Sequence, residues 1–540
     1  MSERGGLIKA AGLIAAMTVI SKILGFIREA SLAAVFGATR ATDAYLVGQT
    51  IPMLVFAAVG AALGTTFIPV YAQVRRERGR EGAFAMADSV VNATMLASLA
   101  VIAAGELLAA PLTRLVAPGF RGQAYALTVS LTRIMFPMVM FQSLSGLLSA
   151  MLQTEGNFFV PAVVSLWFNV LVISSIVGLG PRYGIGAVAV GTVVALMAQV
   201  VAQAPALARL GYQWRPRLDL RDPGLARVLK LSAPVLVGSS VSQAGLLVDR
   251  MLASGLAAGS VAALNYASKL MLLVPSILGT AIVTVMYPTL AKLSAEGNWA
   301  RYSSAFTQSV KIINFLMLPV AVGMVVLRVP LVRLAFERGA FDTRATEATS
   351  WALLFFSLSV AAFSLRDMVS RAFYAFQDTL APMMIGAVAV LINIALNLAL
   401  VGPLRHGGLA LATSLAGLFN AVALLWVLRG RIRKVSGGLA PGIGGRAILD
   451  SLWRVVVASL LMAAAVWAVH EQLRARLPGQ GVAAQAIRLF SAVGAGVVVY
   501  GVLVLLLRVP EARLTLETGR AVARKGWEKA MKALGRVKKA

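Results

Sequence analysis

Stretches of about 20 apolar residues recur along nearly the whole chain, and each is long enough to cross roughly 30 Å of hydrocarbon as a helix. Counting them between polar or Gly/Pro breaks predicts about 14 helices, which start near residues 8, 42, 87, 125, 160, 184, 228, 260, 304, 350, 380, 407, 449 and 487. Hydrophobic residues make up 59% of 540 positions and charged residues 13%. The sequence therefore predicts an all-α polytopic membrane protein without a large soluble domain.

The basic residues are spread over short loops rather than gathered on one module. The formal net charge is +28, which by itself is compatible with nucleic-acid binding, but this distribution argues against it. If the N-terminus is cytoplasmic, the basic segments 75–80, 209–230 and 429–434 and the C-terminal tail all lie inside. Because cytoplasmic loops carry the excess of Lys and Arg, we expect both termini in the cytoplasm.

Several classes of chemistry are excluded by composition. The chain has no cysteine, which rules out disulfides and thiolate metal sites, and its two histidines, His406 and His470, cannot form a histidine-rich metal centre. It has no phosphate-binding loop of the GxxxxGK[ST] type, so ATP-driven transport by this chain alone is not expected. An ion gradient or the membrane potential would be the driving force.

An internal repeat is visible when the chain is shifted by 221 residues. Ser21 then lies over Ser242 and Tyr45 over Tyr266, and two residues of slippage later Phe-Ile-Pro meets Met-Tyr-Pro. Six helices separate the copies, so the pattern predicts two six-helix lobes related by a pseudo-two-fold axis along the membrane normal. Chance similarity between apolar helices is the alternative.

This organisation predicts four parts of the chain. They are an N-terminal lobe at 1–224, a C-terminal lobe at 225–430, two extra helices at 431–510, and a basic tail at 511–540. Apolar residues at roughly helical spacing in the tail favour an amphipathic helix on an anionic inner leaflet. A solvated basic tail that enforces topology is the alternative.

Ionisable residues inside the predicted spans mark candidate functional positions, since each costs on the order of 3 kcal/mol at mid-bilayer. The cations would form a net-positive cavity suited to a phosphate anion, with carboxylates gating its outer edge. In the alternative, Arg28 pairs with Asp43 and Arg250 with Asp249 as latches between lobes. The cations are Lys22, Arg28, Arg250 and Lys269, and the gating carboxylates are Glu29 and Asp43.

A second group of polar residues could hold a cation. Asp249 lies in the seventh helix, Asn393 and Asn397 are one turn apart in the eleventh, and Thr413 lies in the twelfth. Side-chain oxygens of these types suit a hard cation such as sodium. Hydrogen bonding between helices is the commoner role of such asparagines and is the alternative here.

Long motifs in this chain resemble those of one transporter family. They include SKILGFIREASLAAVFGATRATDAYLVGQTIP at 21–52, ALGTTFIPVYAQ at 62–73, NYASKLMLLVPSILGTAIVTVMYPTLAK at 265–292 and RAFYAFQDTLAP at 371–382. This order of motifs, over roughly 5–510, resembles the lipid II flippases of peptidoglycan synthesis. They form the MurJ (MviN) family within the multidrug/oligosaccharidyl-lipid/polysaccharide exporter superfamily.

The resemblance implies a fourteen-helix, two-lobe transporter of the bacterial inner membrane. Its cationic cavity would take the diphosphate and sugar headgroup of undecaprenyl-linked lipid II, and helices 13 and 14 would form a groove for the lipid tail. Alternating access would move the lipid from the inner to the outer leaflet, so the protein would not be an enzyme. We expect it to act as a monomer, with proteins of cell-wall synthesis as further partners.

Where the motifs match position by position, the resemblance implies that Lys22, Arg28 and Lys269 contact the headgroup. Many members have arginine where this chain has Lys22 and Lys269, and aspartate where it has Glu29. An arginine that many members carry after the proline of helix two is missing from 52–60, which weakens bidentate binding of phosphate. The family's sodium site is similar to the set of Asp249, Asn393, Asn397 and Thr413.

Two other transport functions fit the same scaffold. One is a flippase for a different undecaprenyl-linked glycan, such as an O-antigen or capsule unit. The other is a drug/cation antiporter, for which a net-anionic cavity would be expected. A non-transporting scaffold of the cell-wall machinery would make the intramembrane charges dispensable.

Overall fold

The computed structural model describes residues 2–437, 442–479 and 481–512, which form helices joined by turns and loops with no strand among them. This confirms the predicted all-α class. Residues 513–540, most of the predicted amphipathic tail, lie outside the described residues. The helices are α1 (Ser2–Phe36), α2 (Arg40–Val116), α3 (Gly122–Met135), α4 (Met138–Thr154), α5 (Phe159–Ser174), α6 (Gly180–Arg209), α7 (Pro223–Ser254), α8 (Ser260–Val274), α9 (Thr280–Ala295), α10 (Trp299–Val326), α11 (Arg328–Phe336), α12 (Thr343–Ser357), α13 (Val360–Ala375), α14 (Leu380–Leu404), α15 (His406–Val435), α16 (Gly445–Arg476) and α17 (Val482–Leu506).

Nine helical stretches of the described chain are long and apolar enough to cross a membrane, or ten if the bent pair α12 and α13 counts as one span. Two of the nine, Gly64–Val116 and Phe159–Arg209, contain 53 and 51 residues. At about 1.5 Å per residue, each is more than twice as long as the hydrocarbon core is thick. Gly79 (φ 72°) and Gly184 (φ 71°) break the helix inside these stretches. The multi-pass architecture is therefore clear, while the count of 14 crossings stays a prediction.

The turns repeat along the chain as the sequence does. Left-handed backbone conformations, which residues other than glycine rarely adopt, recur at a separation of 217 to 226 residues. This agreement in turn positions supports a structural repeat over chance similarity between apolar segments. The pairs are Gly37 with Gly259, Gly79 with Gly297, Gly122 with Gly339, Gly156 with Gln377, Gly184 with Arg405, and Gly211 with Gly437.

Contacts between helices divide the chain into two compact units. The first comprises Met1–Lys269, Ala335–Ala352 and Gly386–Ala412. The second comprises Leu270–Leu334, Leu353–Ile385 and the described part of Thr413–Ala540. The predicted lobe boundaries at 224 and 430 stay predictions.

Each unit has its own apolar packing. In the first, α2 packs against α4 and α7 around fully buried Tyr71 and Met86. In the second, α16 and α17 form a hairpin that packs on α10, where Tyr500 donates a hydrogen bond to the Phe315 carbonyl at 2.7 Å. Lys311 on α10 also pairs with buried Glu511, just beyond α17, at 2.5 Å. The hairpin of the last two helices is thus fixed by packing and by one buried ion pair.

Candidate functional site

Arg28 on α1 is held by three neighbours. Arg28 Nη2 lies 2.9 Å from Glu29 Oε1, Nη1 donates to Asn169 Oδ1 at 3.2 Å, and the guanidinium lies 5.4 Å from the centroid of the Phe168 ring. Glu29 is only 7% exposed. Arg28 therefore pairs with its sequence neighbour, whereas the latch considered from sequence paired it with Asp43. These contacts hold the planar guanidinium group of Arg28 in one orientation.

The second oxygen of Glu29 joins α1 to α8. Glu29 Oε2 accepts a hydrogen bond from Asn265 Nδ2 at 3.1 Å, and both residues belong to the first unit. Sequence analysis missed Asn265 and Asn169 as functional candidates. The available signal was weak, since each is a single amide in an apolar helix, and such residues usually bond neighbouring helices.

Asp43 in the first turn of α2 caps a different helix. Its carboxylate is 1% exposed and accepts the backbone N–H of Gly259 at 2.7 Å and of Ala262 at 2.8 Å. These amides lie at the N-terminus of α8, where N–H groups lack partners within the helix and favour negative charge. Asp43 thus ties the start of α2 to the start of α8.

Three glycines bring the backbones of the turns into direct contact beside this cap. Gly37, Gly259 and Gly339, here called the glycine seam, have φ of 65°, 86° and 60°. The amide of Ala340 also donates to the Ala34 carbonyl at 2.8 Å. A Cβ atom would lie 2.1 to 2.3 Å from a carbonyl oxygen at every seam position: that of Ala340 for Gly37, Ala38 for Gly259, and Ala34 for Gly339. Only glycine allows this approach.

The seam and the Glu29 contact show that α1 and α8 run antiparallel. Gly259, at the start of α8, approaches Ala38, just after the end of α1. Glu29, nine residues before Ala38, meets Asn265, six residues after Gly259. Lys22 lies two turns before Glu29, about 10 Å along α1, and Lys269 lies one turn after Asn265, about 6 Å along α8. Lys22 is half-buried and Lys269 is exposed. Both lysines therefore lie on the side of the Glu29–Asn265 contact that faces away from the seam.

Arg250 on α7 lies among carboxylates. It is within electrostatic reach of Asp249, Asp43 and Glu29, and its Nε is buried without a hydrogen-bond partner among the described residues. Its charge therefore balances acidic groups near the cap and the Glu29 contact. The predicted role of Arg250 in headgroup binding stays a prediction.

The candidate cation site is partly assembled. Asn397 Nδ2 donates to Asp249 Oδ1 at 2.6 Å and to Asn393 Oδ1 at 3.2 Å. Asn397 Oδ1 is buried and has no partner among the described residues, as an oxygen intended for a ligand would be. Thr413, the fourth predicted member, is half-buried on α15 in the second unit. The carboxylate and amide oxygens suit a hard cation, and the same geometry also provides the hydrogen bonding considered as the alternative.

Comparison with known proteins settles the family. A family model described as lipid II flippase MurJ matches residues 32–479, well over half of the chain. The chain belongs to the MurJ family of lipid II flippases. The family predicted from the motifs is thereby confirmed.

Relatives within the MurJ family align with most of the chain. A Burkholderia cenocepacia protein named lipid II flippase MurJ is 31% identical over 430 residues, which cover 77% of this chain and 83% of that protein. A Rhizobium meliloti protein named probable lipid II flippase MurJ is 30% identical over 485 residues, covering 86% of this chain and 87% of that protein. The similarity thus includes both units.

Solved structures support the same fold. A lipid II flippase MurJ in an inward closed conformation superposes with a TM-score of 0.74 at 23% identity, covering 92% of this chain and 99% of that one. A multidrug resistance MATE family transporter of the MOP superfamily, in an inward-facing conformation, has a TM-score of 0.64 at 17% identity and covers 78% and 96%. The MurJ family fold is a membrane-transporter fold, as expected from the sequence.

Proposed function

We propose that this chain is a flippase that moves lipid II, the undecaprenyl-diphosphate-linked peptidoglycan precursor, from the inner to the outer leaflet of the bacterial cytoplasmic membrane. Membership of the MurJ family supports the substrate class. The observation that carries the proposal is the Glu29–Asn265 contact, in which Glu29 also pairs with Arg28. Lys22 and Lys269 lie about 10 Å and 6 Å from this contact along α1 and α8. Three cations along these two helices would suit a diphosphate.

The closed seam suggests how binding and opening are coupled. With both termini in the cytoplasm, the glycine seam and the Asp43 cap close the outer end of α1, α2 and α8. A diphosphate that binds Arg28 competes with Glu29 for the guanidinium. Because Glu29 also accepts from Asn265, losing Arg28 weakens the contact between α1 and α8. Substrate binding would thereby favour the state in which the outer end opens.

An ion would supply the driving force in this scheme. Asp249, Asn393 and Asn397 would hold sodium through side-chain oxygens, with the amide of Asn397 reoriented to present its Oδ1. Sodium at Asp249 would compensate the carboxylate that Arg250 faces, and so change the charge balance near the Asp43 cap. The membrane potential would act on the same cation. The protein would transport without covalent chemistry, as a monomer that meets cell-wall synthesis proteins in the membrane.

The test is complementation in cells depleted of their own lipid II flippase. Wild type, Arg28→Ala and Lys269→Ala are compared at matched membrane expression, with Lys292→Ala as a control because Lys292 is an exposed cation at the end of α9. We expect rescue by wild type and Lys292→Ala, and loss of rescue in the two other variants. Full rescue by Arg28→Ala and Lys269→Ala would refute headgroup binding by these cations.

A flippase for another undecaprenyl-linked glycan is the second candidate. Lysines at 22 and 269 and the absence of an arginine from 52–60 reduce bidentate phosphate binding relative to many family members. Wild type that reaches the membrane at normal levels but does not rescue growth would favour this alternative over lipid II.

A further inference from the structure

A cavity of about 710 Å³ lies in the second unit, where α11, the end of α16 and the start of α17 meet. Its described lining contains none of the residues proposed to bind the headgroup or the ion, but it includes residues of α16 and α17, the helices for which the family resemblance implies a lipid-tail groove. Among the described residues that line it, one acid accompanies four arginines and a histidine. These are Glu471, Arg328, Arg333, Arg474, Arg488 and His470. Basic residues therefore outnumber acidic ones in the described lining of the cavity.

A contact with a neutral carbonyl group holds one of these arginines in place. Arg488 Nη2 donates to the Gly479 carbonyl at 2.9 Å. A carbonyl oxygen orients a guanidinium without neutralising its charge. Arg474 lies 3.3 Å from Glu471, and both side chains are largely exposed. The wall thus presents ordered positive charge to an anion.

A histidine in the wall lacks a protein partner. His470 Nδ1 is buried and has no hydrogen-bond partner among the described residues. A buried ring nitrogen without a partner costs desolvation free energy unless a ligand or water supplies a hydrogen bond. This is a second observation, independent of charge, that indicates a ligand here.

The surface of α16 sets the depth of the cavity in the membrane. Trp453 and Trp467 are 52% and 61% exposed, and the exposed residues between them include Leu460 and Leu461. The two tryptophans are 14 residues apart, about 21 Å along the helix. Tryptophans at both ends of an exposed apolar helix face are typical of the membrane interfaces. Because Trp467 lines the cavity, the cavity lies at headgroup depth.

We propose that this cavity binds the phosphate group of an anionic phospholipid from the surrounding bilayer. The arginines would bind the phosphate, and the acyl chains would lie along the exposed apolar faces of α16 and α17, which include Leu460 and Val497. The adjoining apolar surface favours a lipid over a soluble anion. With both termini in the cytoplasm, the bound lipid belongs to the outer leaflet.

Quenching of Trp467 by brominated lipid tests the site directly. Full-length protein is placed in phosphatidylcholine vesicles that contain equal mole fractions of either brominated phosphatidylglycerol or brominated phosphatidylcholine. The chain has eight tryptophans, so the Trp467 signal is taken as the difference between wild type and Trp467→Phe. We expect several-fold preferential quenching by phosphatidylglycerol, since one arginine contributes about fivefold to anionic-lipid binding. Equal quenching by both lipids would overturn the proposal.

Variants locate the binding. Arg328→Gln and Arg488→Gln, alone and together, should lower the ratio of Trp467 quenching by brominated phosphatidylglycerol to quenching by brominated phosphatidylcholine toward one. Arg488→Lys should keep most of this preference for phosphatidylglycerol. Arg476→Gln is the matched control, because this exposed residue ends α16 without lining the cavity. Preference that survives all the glutamine variants would place the lipid elsewhere and refute the site.

Competition identifies the source of the phosphate. Unlabelled phosphatidylglycerol should displace its brominated form, whereas millimolar inorganic pyrophosphate should not. Displacement by pyrophosphate would show a site for soluble anions and overturn the assignment to a lipid. Displacement by undecaprenyl phosphate at a mole fraction where phosphatidylglycerol has no effect would assign the cavity to substrate-class lipids instead of bilayer phospholipid.

Discussion

The carboxylate of Asp43 accepts the backbone N–H of Ala262 at 2.8 Å, so a residue of α2 caps a helix that begins more than two hundred positions later. The bond is buried and charge-assisted, and Gly259 contributes a second one. We infer that the Asp43 carboxylate and the glycine seam together close this end of the first unit.

Removing the Asp43 carboxylate should open the contact between α2 and α8. Asp43→Ala loses two buried hydrogen bonds and is expected to cost on the order of 1–2 kcal/mol. A cysteine at fully buried Ala33 on α1 would report this as maleimide labelling about tenfold faster. Asp342→Ala is the control, since the Asp342 carboxylate caps its own helix, α12, by accepting the Ala345 N–H at 2.8 Å. Equal effects of the two substitutions would argue against a gating role.

An added methyl group in the glycine seam should have a larger effect. Gly259→Ala places Cβ about 2.1 Å from the Ala38 carbonyl oxygen in addition to the strain of φ 86°. Gly297→Ala has similar strain at φ 66° but meets no atom within 4 Å. We expect faster labelling of the Ala33 cysteine and lost complementation for Gly259→Ala, with near wild-type behaviour for Gly297→Ala. If Gly259→Ala and Gly297→Ala have the same effect, the strain of a positive φ explains it, and the close approach to the Ala38 carbonyl oxygen does not.

Arginine geometry at position 28 should matter beyond its charge. Arg28→Lys keeps the charge but loses the fork that contacts Glu29 and Asn169, and we expect lipid II movement to fall about tenfold. The measurement is the rate at which lipid II becomes accessible on the outer face of spheroplasts. Arg114→Lys is the control, because Arg114 also stacks on an aromatic ring, that of Tyr125, away from the site. An unchanged rate in Arg28→Lys would show that charge alone suffices.

Sodium should stabilise the purified protein through the Asp249 set. Replacing potassium by sodium at constant ionic strength is expected to raise the thermal midpoint by about 2 °C. Asn397→Ala should abolish this difference, because Asn397 contacts both Asp249 and Asn393. Asn314→Ala, another buried asparagine, should retain it. A sodium effect that persists in Asn397→Ala would exclude this site.

Topology can be tested with single cysteines, because the natural chain has none. Arg76→Cys and Arg344→Cys place a thiol at exposed positions, one on α2 just before the break at Gly79 and one in the first turn of α12. With both termini in the cytoplasm, a membrane-impermeant maleimide should label position 344 in intact spheroplasts and position 76 only after permeabilisation. The reverse pattern would invert the proposed orientation and the direction of transport.

The amino-acid sequence by itself determined the class, the repeat and most candidate charges. Apolar stretches of membrane length dictate helices, because a chain in lipid must satisfy its backbone hydrogen bonds internally. The shift of 221 residues reappears in left-handed turns such as Gly184 and Arg405. Arg28, Glu29 and Asp43 stand out because charges are costly in the membrane.

Only the tertiary structure decided what these residues touch. Asp43 accepts hydrogen bonds from backbone amides, which every residue but proline carries. No side-chain pattern therefore predicts Gly259 and Ala262 as its partners. Asn265 is a candidate because its amide lies against Glu29, a contact that only the folded chain forms. Arg328 and Arg488 lie on helices far apart in sequence and share a cavity because α16 and α17 pack against the end of α10. Packing between helices that are far apart in the sequence sets these relationships, so a local sequence pattern does not predict them.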